Sequence, residues 1–201
     1  MVYYLFHKPR GCITANRDPR HKTVLDYFPN EWRNEIFPVG RLDRDTEGLL
    51  LLTDDGTLTA HLLDPRDHVE KTYFFWCIGE MTDEKQAAIE NGMSIDGGLT
   101  QTKPAKLEIC EKKKLGDIFD LLNDEDKKRA VKHMETSVFS GFLTITEGKK
   151  HQVKRMLGMH RCHVVYLKRV KMGSLSLDET LAPGTYRPLT DGEISALKAN
   201  R

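Results

Sequence analysis

The chain has 201 residues, of which 39% are hydrophobic and 30% charged, a composition that can form an ordinary globular core. No apolar run approaches the roughly 18–20 residues of a membrane helix and no signal-peptide pattern opens the chain, so we expect a cytoplasmic protein. The net charge of +1 excludes a uniformly basic protein, and the four cysteines form no CxxC pair, which argues against a zinc ribbon or a disulfide framework.

Residue patterning predicts secondary structure along the whole chain. In chain order it predicts a strand at residues 2–6, a short helix at 23–28, a strand at 47–53 and a helix at 58–63. It then predicts a strand at 71–79, a helix at 83–91, and strands at 106–110 and 136–147, the last with a turn at Ser140-Gly141. A helix at 152–159, a strand at 164–167 and a final helix after the Thr190-x-x-Glu193 capping box complete the pattern.

The order of these elements indicates the fold class. Strands outnumber helices and do not alternate regularly with them, which favours an α+β fold with a largely antiparallel mixed sheet flanked by helices. Pro65 and mixed charges interrupt the pattern near residue 66, so we expect two subdomains, 1–66 and 67–201.

A charged segment precedes the apolar strand at 47–53. Gly40–Gly48, GRLDRDTEG, places two carboxylates and two guanidinium groups within five residues. Arginines beside a carboxylate favour its ionised form, which can act as a nucleophile or a base. Considered alone, such a segment is more often a charged surface loop.

A basic segment surrounds the helix predicted at 152–159. Eight Lys or Arg residues and one carboxylate lie between Glu147 and Met172. A helix start offers free N–H groups and a positive dipole end, which suit phosphate, although a solvated basic face explains the pattern equally well. Tyr73 can stack on an unstacked base, or be a half-buried sheet residue.

Four possible metal ligands lie close together in the sequence, namely His151, His160, Cys162 and His163. Their spacing does not match common zinc sites and no matching pair exists elsewhere in the chain. We therefore predict no metal site.

Five segments together resemble the RsuA-type pseudouridine synthases, which act on the ribosomal small subunit. They occur in the order of that family and span nearly the whole chain. The resemblance is carried by Lys8-Pro9-Arg10-Gly11 (a KPxG motif), GRLDRDTEGLLLLT (40–53), Lys71-Thr72-Tyr73 (a KTY motif), EGKKHQVKRM (147–156) and LAPGTYRPLT (181–190).

The resemblance implies the pseudouridine synthase catalytic fold and an enzyme that isomerises uridine in RNA without metal or organic cofactor. Asp43 would be the catalytic aspartate, Tyr73 would pack on the target base, and Lys154 would pair with Asp43, with Arg155 the weaker candidate. Contacts to RNA would come from further residues of the motifs. These are Lys8, Arg10, Arg41, Arg44, Lys71, His151, Gln152 and Arg155.

The resemblance also implies a partner, which is ribosomal RNA or a ribosomal-subunit precursor, bound by a monomeric enzyme. The family usually carries an S4-like domain before the KPxG motif, and here that motif begins at Lys8, so this sequence does not include that domain. Either the sequence is a piece of a longer protein or it is a short member of the family. Segments 71–109 and 151–190 resemble the small-subunit branch, which favours 16S rRNA, whereas short relatives act on 23S rRNA.

Two other interpretations compete with this one. LLLLTDDGTL (49–58) resembles the motif of haloacid-dehalogenase phosphatases, but Thr53 occupies the position of their nucleophilic aspartate. A non-catalytic RNA-binding protein on the same scaffold would not need a carboxylate such as Asp43 near phosphate.

Overall fold

A computed structural model describes residues 1–199 and divides the chain into two compact units. The first unit combines Met1–Lys71 with the C-terminal segment that begins at Lys168, and the second unit is Thr72–Leu167. The predicted division at residue 66 is therefore wrong in one respect, because the chain after Lys168 returns to the first unit. It does so because this segment pairs with strands from the start of the chain.

Residues 1–199 form nine strands and five α-helices. The strands are β1 (Tyr3–Lys8), β2 (Phe37–Pro38), β3 (Glu47–Thr53), β4 (Lys71–Ile78), β5 (Lys106–Lys114), β6 (Ser137–Ile145), β7 (His163–Met172), β8 (Leu175–Ser176) and β9 (Tyr186–Pro188). The helices are α1 (Gly56–Leu63), α2 (Asp83–Glu90), α3 (Asp124–Ala130), α4 (Gln152–Met159) and α5 (Asp191–Ala199), with 3-10 turns at Val24–Tyr27, Asn30–Asn34 and Leu115–Leu121.

The sheet of the first unit has the order β7-β3-β1-β9. Strand β3 is antiparallel to β1, with Leu51 opposite Leu5, and parallel to the end of β7, with Gly48 opposite Arg169. Its leucines are buried on both faces of the sheet. Leu49 and Leu51 belong to a core cluster that includes side chains of α1 and α5, which explains why this strand is apolar throughout.

The sheet of the second unit has the order β5-β6-β4-β7, and β5 is antiparallel to β6. Its core packs Trp76, Val138 and Val165 against the 3-10 turn at Leu115–Leu121 and the end of α3. Strand β6 is continuous, so the turn predicted at Ser140-Gly141 is wrong. A Cβ on Gly141 would lie 2.8 Å from the Phe75 ring, which indicates that the glycine provides space for close packing rather than a turn.

The α+β fold with a mostly antiparallel sheet is confirmed. No helix within residues 1–199 is long and apolar enough to cross a lipid bilayer.

Candidate active site

The segment Gly40–Thr46, here called the GRLD loop, carries Asp43 and leads into β3 in the first unit. Gly40 has φ +73°, a conformation that favours glycine. The Thr14 hydroxyl accepts a hydrogen bond from the Leu42 amide at 3.1 Å and donates one to the Leu42 carbonyl at 2.9 Å. The Thr46 amide donates to the Asp43 carbonyl at 3.1 Å, closing a turn. The backbone on both sides of the half-exposed Asp43 is therefore fixed.

Lys8 also holds the GRLD loop, from the interior of the protein. Its side chain is fully buried, and its ammonium donates to the carbonyl oxygens of Thr46 at 2.8 Å, Asp43 at 3.0 Å and Pro9 at 3.1 Å. Burial lowers the pKa of Lys8. The prediction that Lys8 contacts RNA is therefore wrong, because its ammonium group faces these carbonyls in the interior.

The remainder of the KPxG motif also contacts the loop. The Gly11 amide donates to the Arg44 carbonyl at 2.8 Å, and Arg44 Nε donates back to the Gly11 carbonyl at 3.2 Å. Arg10 lies 3.6 Å from the Glu47 carboxylate. Arg41 and Arg44 are exposed and Arg10 is half-exposed, so these three can reach a ligand from solvent.

Lys71 and Tyr73 open strand β4, the first in the first unit and the second in the second unit. Lys71 is buried, and its ammonium donates to the Val69 carbonyl at 3.1 Å. Burial, followed by the charge of the buried Arg169, lowers the pKa of Lys71 to about 8. Direct contact of Lys71 with RNA is therefore not supported. Tyr73 is also largely buried, with 9% of its surface exposed.

The turn before α4 is built around a buried carboxylate, Glu147. It accepts hydrogen bonds from the Lys103 amide at 2.7 Å, the Gln152 side-chain amide at 2.8 Å and the Lys149 ammonium at 2.6 Å. Burial opposes ionisation of Glu147, but these hydrogen bonds dominate and lower its pKa. Gln152 is buried in this network, so the prediction that it binds RNA is wrong.

Helix α4 positions the basic residues that follow. Exposed His151 is its N-cap with φ +52°, a left-handed conformation that few residues other than glycine adopt. Half-exposed Arg155 donates to the Ile95 carbonyl at 3.0 Å and lies 3.4 Å from Asp96. The Arg155 guanidinium is therefore held by neighbouring groups, and the pairing of Lys154 with Asp43 stays a prediction.

The predicted catalytic residues are distributed over both units. Asp43 belongs to the first unit, and Tyr73 and Lys154 belong to the second. Their joint action on one nucleotide stays a prediction. Sequence reasoning did not identify Thr14 and Glu147 as supports of the site. Glu147 is the first residue of the EGKKHQVKRM segment, so the motif could have indicated its importance, whereas no sequence pattern indicates a role for Thr14.

The phosphatase interpretation has no support in the structure. Asp55, the second aspartate of the TDDGTL segment on which that interpretation depends, is buried and caps α1 by accepting a hydrogen bond from the Leu58 amide at 2.9 Å. Within residues 1–199, no three His, Cys, Asp or Glu side chains are grouped so that they could bind a metal ion. The independence from metals and cofactors itself stays a prediction.

Comparison with known proteins identifies the class. The sequence profile of the family described as RNA pseudouridylate synthase matches residues 2–158. The chain is 45% identical over 197 residues to the "Uncharacterized RNA pseudouridine synthase YtzG" of Bacillus subtilis (strain 168), covering 98% of this chain and 73% of that protein. It is 37% identical to "Ribosomal small subunit pseudouridine synthase A" of Haemophilus influenzae, covering 97% of this chain and 73% of that protein. A crystal structure of a pseudouridylate synthase superposes with a TM-score of 0.79 at 36% identity, over 98% of this chain and 73% of that one.

The fold and the matching segments thus define an RNA-modifying isomerase. The chain belongs to the RNA pseudouridylate synthase family, and it is a pseudouridine synthase related to the enzymes of the RsuA type.

Proposed function

We propose that this enzyme converts one specific uridine of 16S rRNA to pseudouridine, acting as a monomer in the cytoplasm on ribosomal RNA or a ribosomal-subunit precursor. The observation that carries the proposal is the similarity to relatives named for the ribosomal small subunit. It amounts to 35–37% identity and extends over 97% of the chain.

The proposed chemistry begins with the Asp43 carboxylate, which attacks C1′ of the target ribose. The C1′–N1 bond breaks and uracil leaves as an anion, with the electron pair on N1. The uracil rotates, C5 bonds to C1′ and displaces the carboxylate. The C5 proton is then lost and N1 takes up a proton, so the product is an isomer of the substrate.

Two residues of the second unit have proposed roles in this sequence. The ring of Tyr73 stacks on the uracil and assists removal of the C5 proton, and its burial in β4 supports a fixed ring. Lys154 pairs with the Asp43 carboxylate and orients it. The hydrogen bond of Arg155 to the Ile95 carbonyl and its ion pair with Asp96 support the choice of Lys154 for this role.

Binding of the RNA is proposed for the accessible cationic residues of the motifs, because cationic side chains neutralise phosphates. These residues are Arg10, Arg41, Arg44, His151 and Arg155. The target uridine must leave its stack at a cost of a few kcal/mol, which these contacts offset.

The experiment incubates the purified enzyme with 16S rRNA, 23S rRNA and small-subunit particles, and maps pseudouridine by carbodiimide adducts and primer extension. We expect one new stop, in 16S rRNA, and the same stop must be missing in rRNA from cells that lack the enzyme. A stop only in 23S rRNA would contradict the proposed target. No stop in any rRNA, with intact binding, would favour the non-catalytic alternative.

A further inference from the structure

The second unit contains a cavity with an apolar floor outside the motif segments. Its volume is about 270 Å³. Buried Leu115, Leu122 and Val165 line it, together with exposed Arg129 and His133 and the half-exposed carboxylate Asp126. An apolar cavity of about 150 Å³ takes up benzene, so this one has room for a planar ring of nucleobase size.

A second cavity, of about 260 Å³, shares one lining residue with the first, the exposed His163. Its polar lining is cationic, with Lys154 and Arg161 beside His163, and none of the described residues that line it is acidic. Cationic side chains around a concave surface suit a phosphate group.

The backbone at Arg161 is unusual. This residue follows helix α4 with φ +61°, at a position where helices commonly end in glycine. The Arg161 amide donates to the Gly158 carbonyl at 2.9 Å, and the Cys162 amide to the Leu157 carbonyl at 3.1 Å. The helix end therefore holds this conformation although arginine adopts it at a cost, which suggests that the guanidinium has a use.

From this arrangement we infer that the two cavities form a second nucleotide-binding site for RNA, separate from the position of the target uridine. An unstacked base enters the apolar cavity, and the adjacent phosphate lies between Arg161 and His163. Lys154 lines the phosphate cavity and has a proposed catalytic role, so we assign the bound nucleotide to the same RNA strand as the target. The inference rests on the proposed function, since it assumes an RNA substrate.

The test uses two variants and a 16S rRNA fragment that the wild type modifies. Arg161→Gly removes the guanidinium and suits the backbone conformation, so it should fold at least as well as the wild type. Thr136→Phe fills the apolar cavity from its half-exposed wall. Arg66→Gly, which removes an arginine that is 89% exposed in the first unit, is the charge-matched control.

We expect Arg161→Gly to weaken RNA binding about tenfold. The slope of log K against log salt concentration should also fall by about one in magnitude, as expected for the loss of one phosphate contact, whereas Arg66→Gly binds like the wild type. An abasic residue at one position flanking the target should weaken wild-type binding about tenfold, as expected for the loss of one stacked base. It should have little effect on Thr136→Phe, in which the cavity is already filled. Thermal melting verifies that both variants are folded.

Two results would overturn the inference, and both leave the proposed function intact. The first is wild-type affinity and salt dependence for Arg161→Gly while the wild type makes pseudouridine normally. The second is equal sensitivity of wild type and Thr136→Phe to every abasic position, which would leave the cavity to some other occupant such as a protein side chain. Failure of the wild type itself to modify any rRNA would instead reject the proposed function.

Discussion

The ammonium of Lys8 donates a hydrogen bond of 3.0 Å to the backbone carbonyl of Asp43. It also donates to the carbonyls of Thr46, Pro9 and, at 3.5 Å, Arg44, and the side chain has no exposed surface. The KPxG motif is therefore a support for the GRLD loop. This relationship explains why a lysine occupies the buried end of strand β1.

The first prediction concerns Lys8→Met, which leaves these carbonyl oxygens buried without a donor. We expect the free energy of unfolding to fall by about 3 kcal/mol, since each unsatisfied buried group costs about 1–3 kcal/mol. Displacement of Asp43 should lower kcat about 10²-fold, while the Kd for RNA stays close to the wild-type value because Lys8 cannot touch the substrate. Single-turnover kinetics and binding assays separate the two quantities. The control is Lys112→Met on exposed β5, and a variant of Lys8 with a changed Kd and normal kcat would contradict the supporting role.

The second prediction compares two glycines. Gly48 has φ +111°, and a Cβ there would lie 2.7 Å from the Arg169 amide nitrogen and closer still to its carbonyl oxygen. Backbone atoms of a paired strand cannot move aside easily, so Gly48→Ala should destabilise the protein by about 3 kcal/mol or more. Gly148→Ala should change stability by less than about 0.5 kcal/mol, because nothing lies within 4 Å of its Cβ position. Denaturant unfolding measures both, and equal effects would contradict the close approach of β3 to β7.

The third prediction uses Lys71, whose pKa is lowered to about 8. Between about pH 8 and its ordinary pKa of 10.5, the unfolded chain binds more protons at this residue than the folded chain. The contribution of Lys71 to the free energy of unfolding must therefore rise with pH across this window, by about 3 kcal/mol in total. At pH 7 the free energy of unfolding of Lys71→Met should exceed that of the wild type, and this difference should disappear as the pH rises to 10. Denaturant unfolding at each pH measures it. If the free energies of unfolding of wild type and Lys71→Met change with pH in parallel, the Lys71 ammonium is solvated in the folded protein.

The fourth prediction concerns the buried network at α4. Glu147→Ala leaves the Lys103 amide and the Gln152 side chain without their acceptor, so we expect the free energy of unfolding to fall by about 3 kcal/mol. Activity should also fall, because the change displaces Lys154. Because the pKa of Glu147 is lowered from 4.5, its contribution is complete above that pH and is lost as the pH falls through the folded value. The stability difference between wild type and variant should therefore shrink on acidification. Glu111→Ala on exposed β5 is the control, and a difference that grows towards low pH would refute the charged network.

The sequence predicted those elements whose pattern reflects burial directly. Strand β3 and helix α4 have the predicted bounds, because an uninterrupted apolar run and a 3.6-residue apolar period each identify a buried face. Helix α3 was not predicted. It has little apolar periodicity, buries only Ala130 and begins at an Asn123 cap, so its stability derives from local charges and capping.

The functional residues show a different limit of sequence reasoning. The motifs identified which segments matter, but they could not separate residues that face the substrate from residues that support them. Lys8, Lys71 and Gln152 are polar and lie in the motifs, yet all three are buried. Their direction is decided by tertiary contacts, such as the carbonyls gathered around Lys8, that no local pattern reveals.

The most direct test of the account compares Asp43→Asn with Asp45→Asn, two isosteric changes in the same loop. Pseudouridine formed in 16S rRNA is measured under single-turnover conditions, with RNA binding measured in parallel. We expect no detectable pseudouridine for Asp43→Asn with RNA affinity preserved, and activity close to wild type for Asp45→Asn. Pseudouridine formation by Asp43→Asn at the wild-type rate would contradict the assignment of Asp43 as the nucleophile.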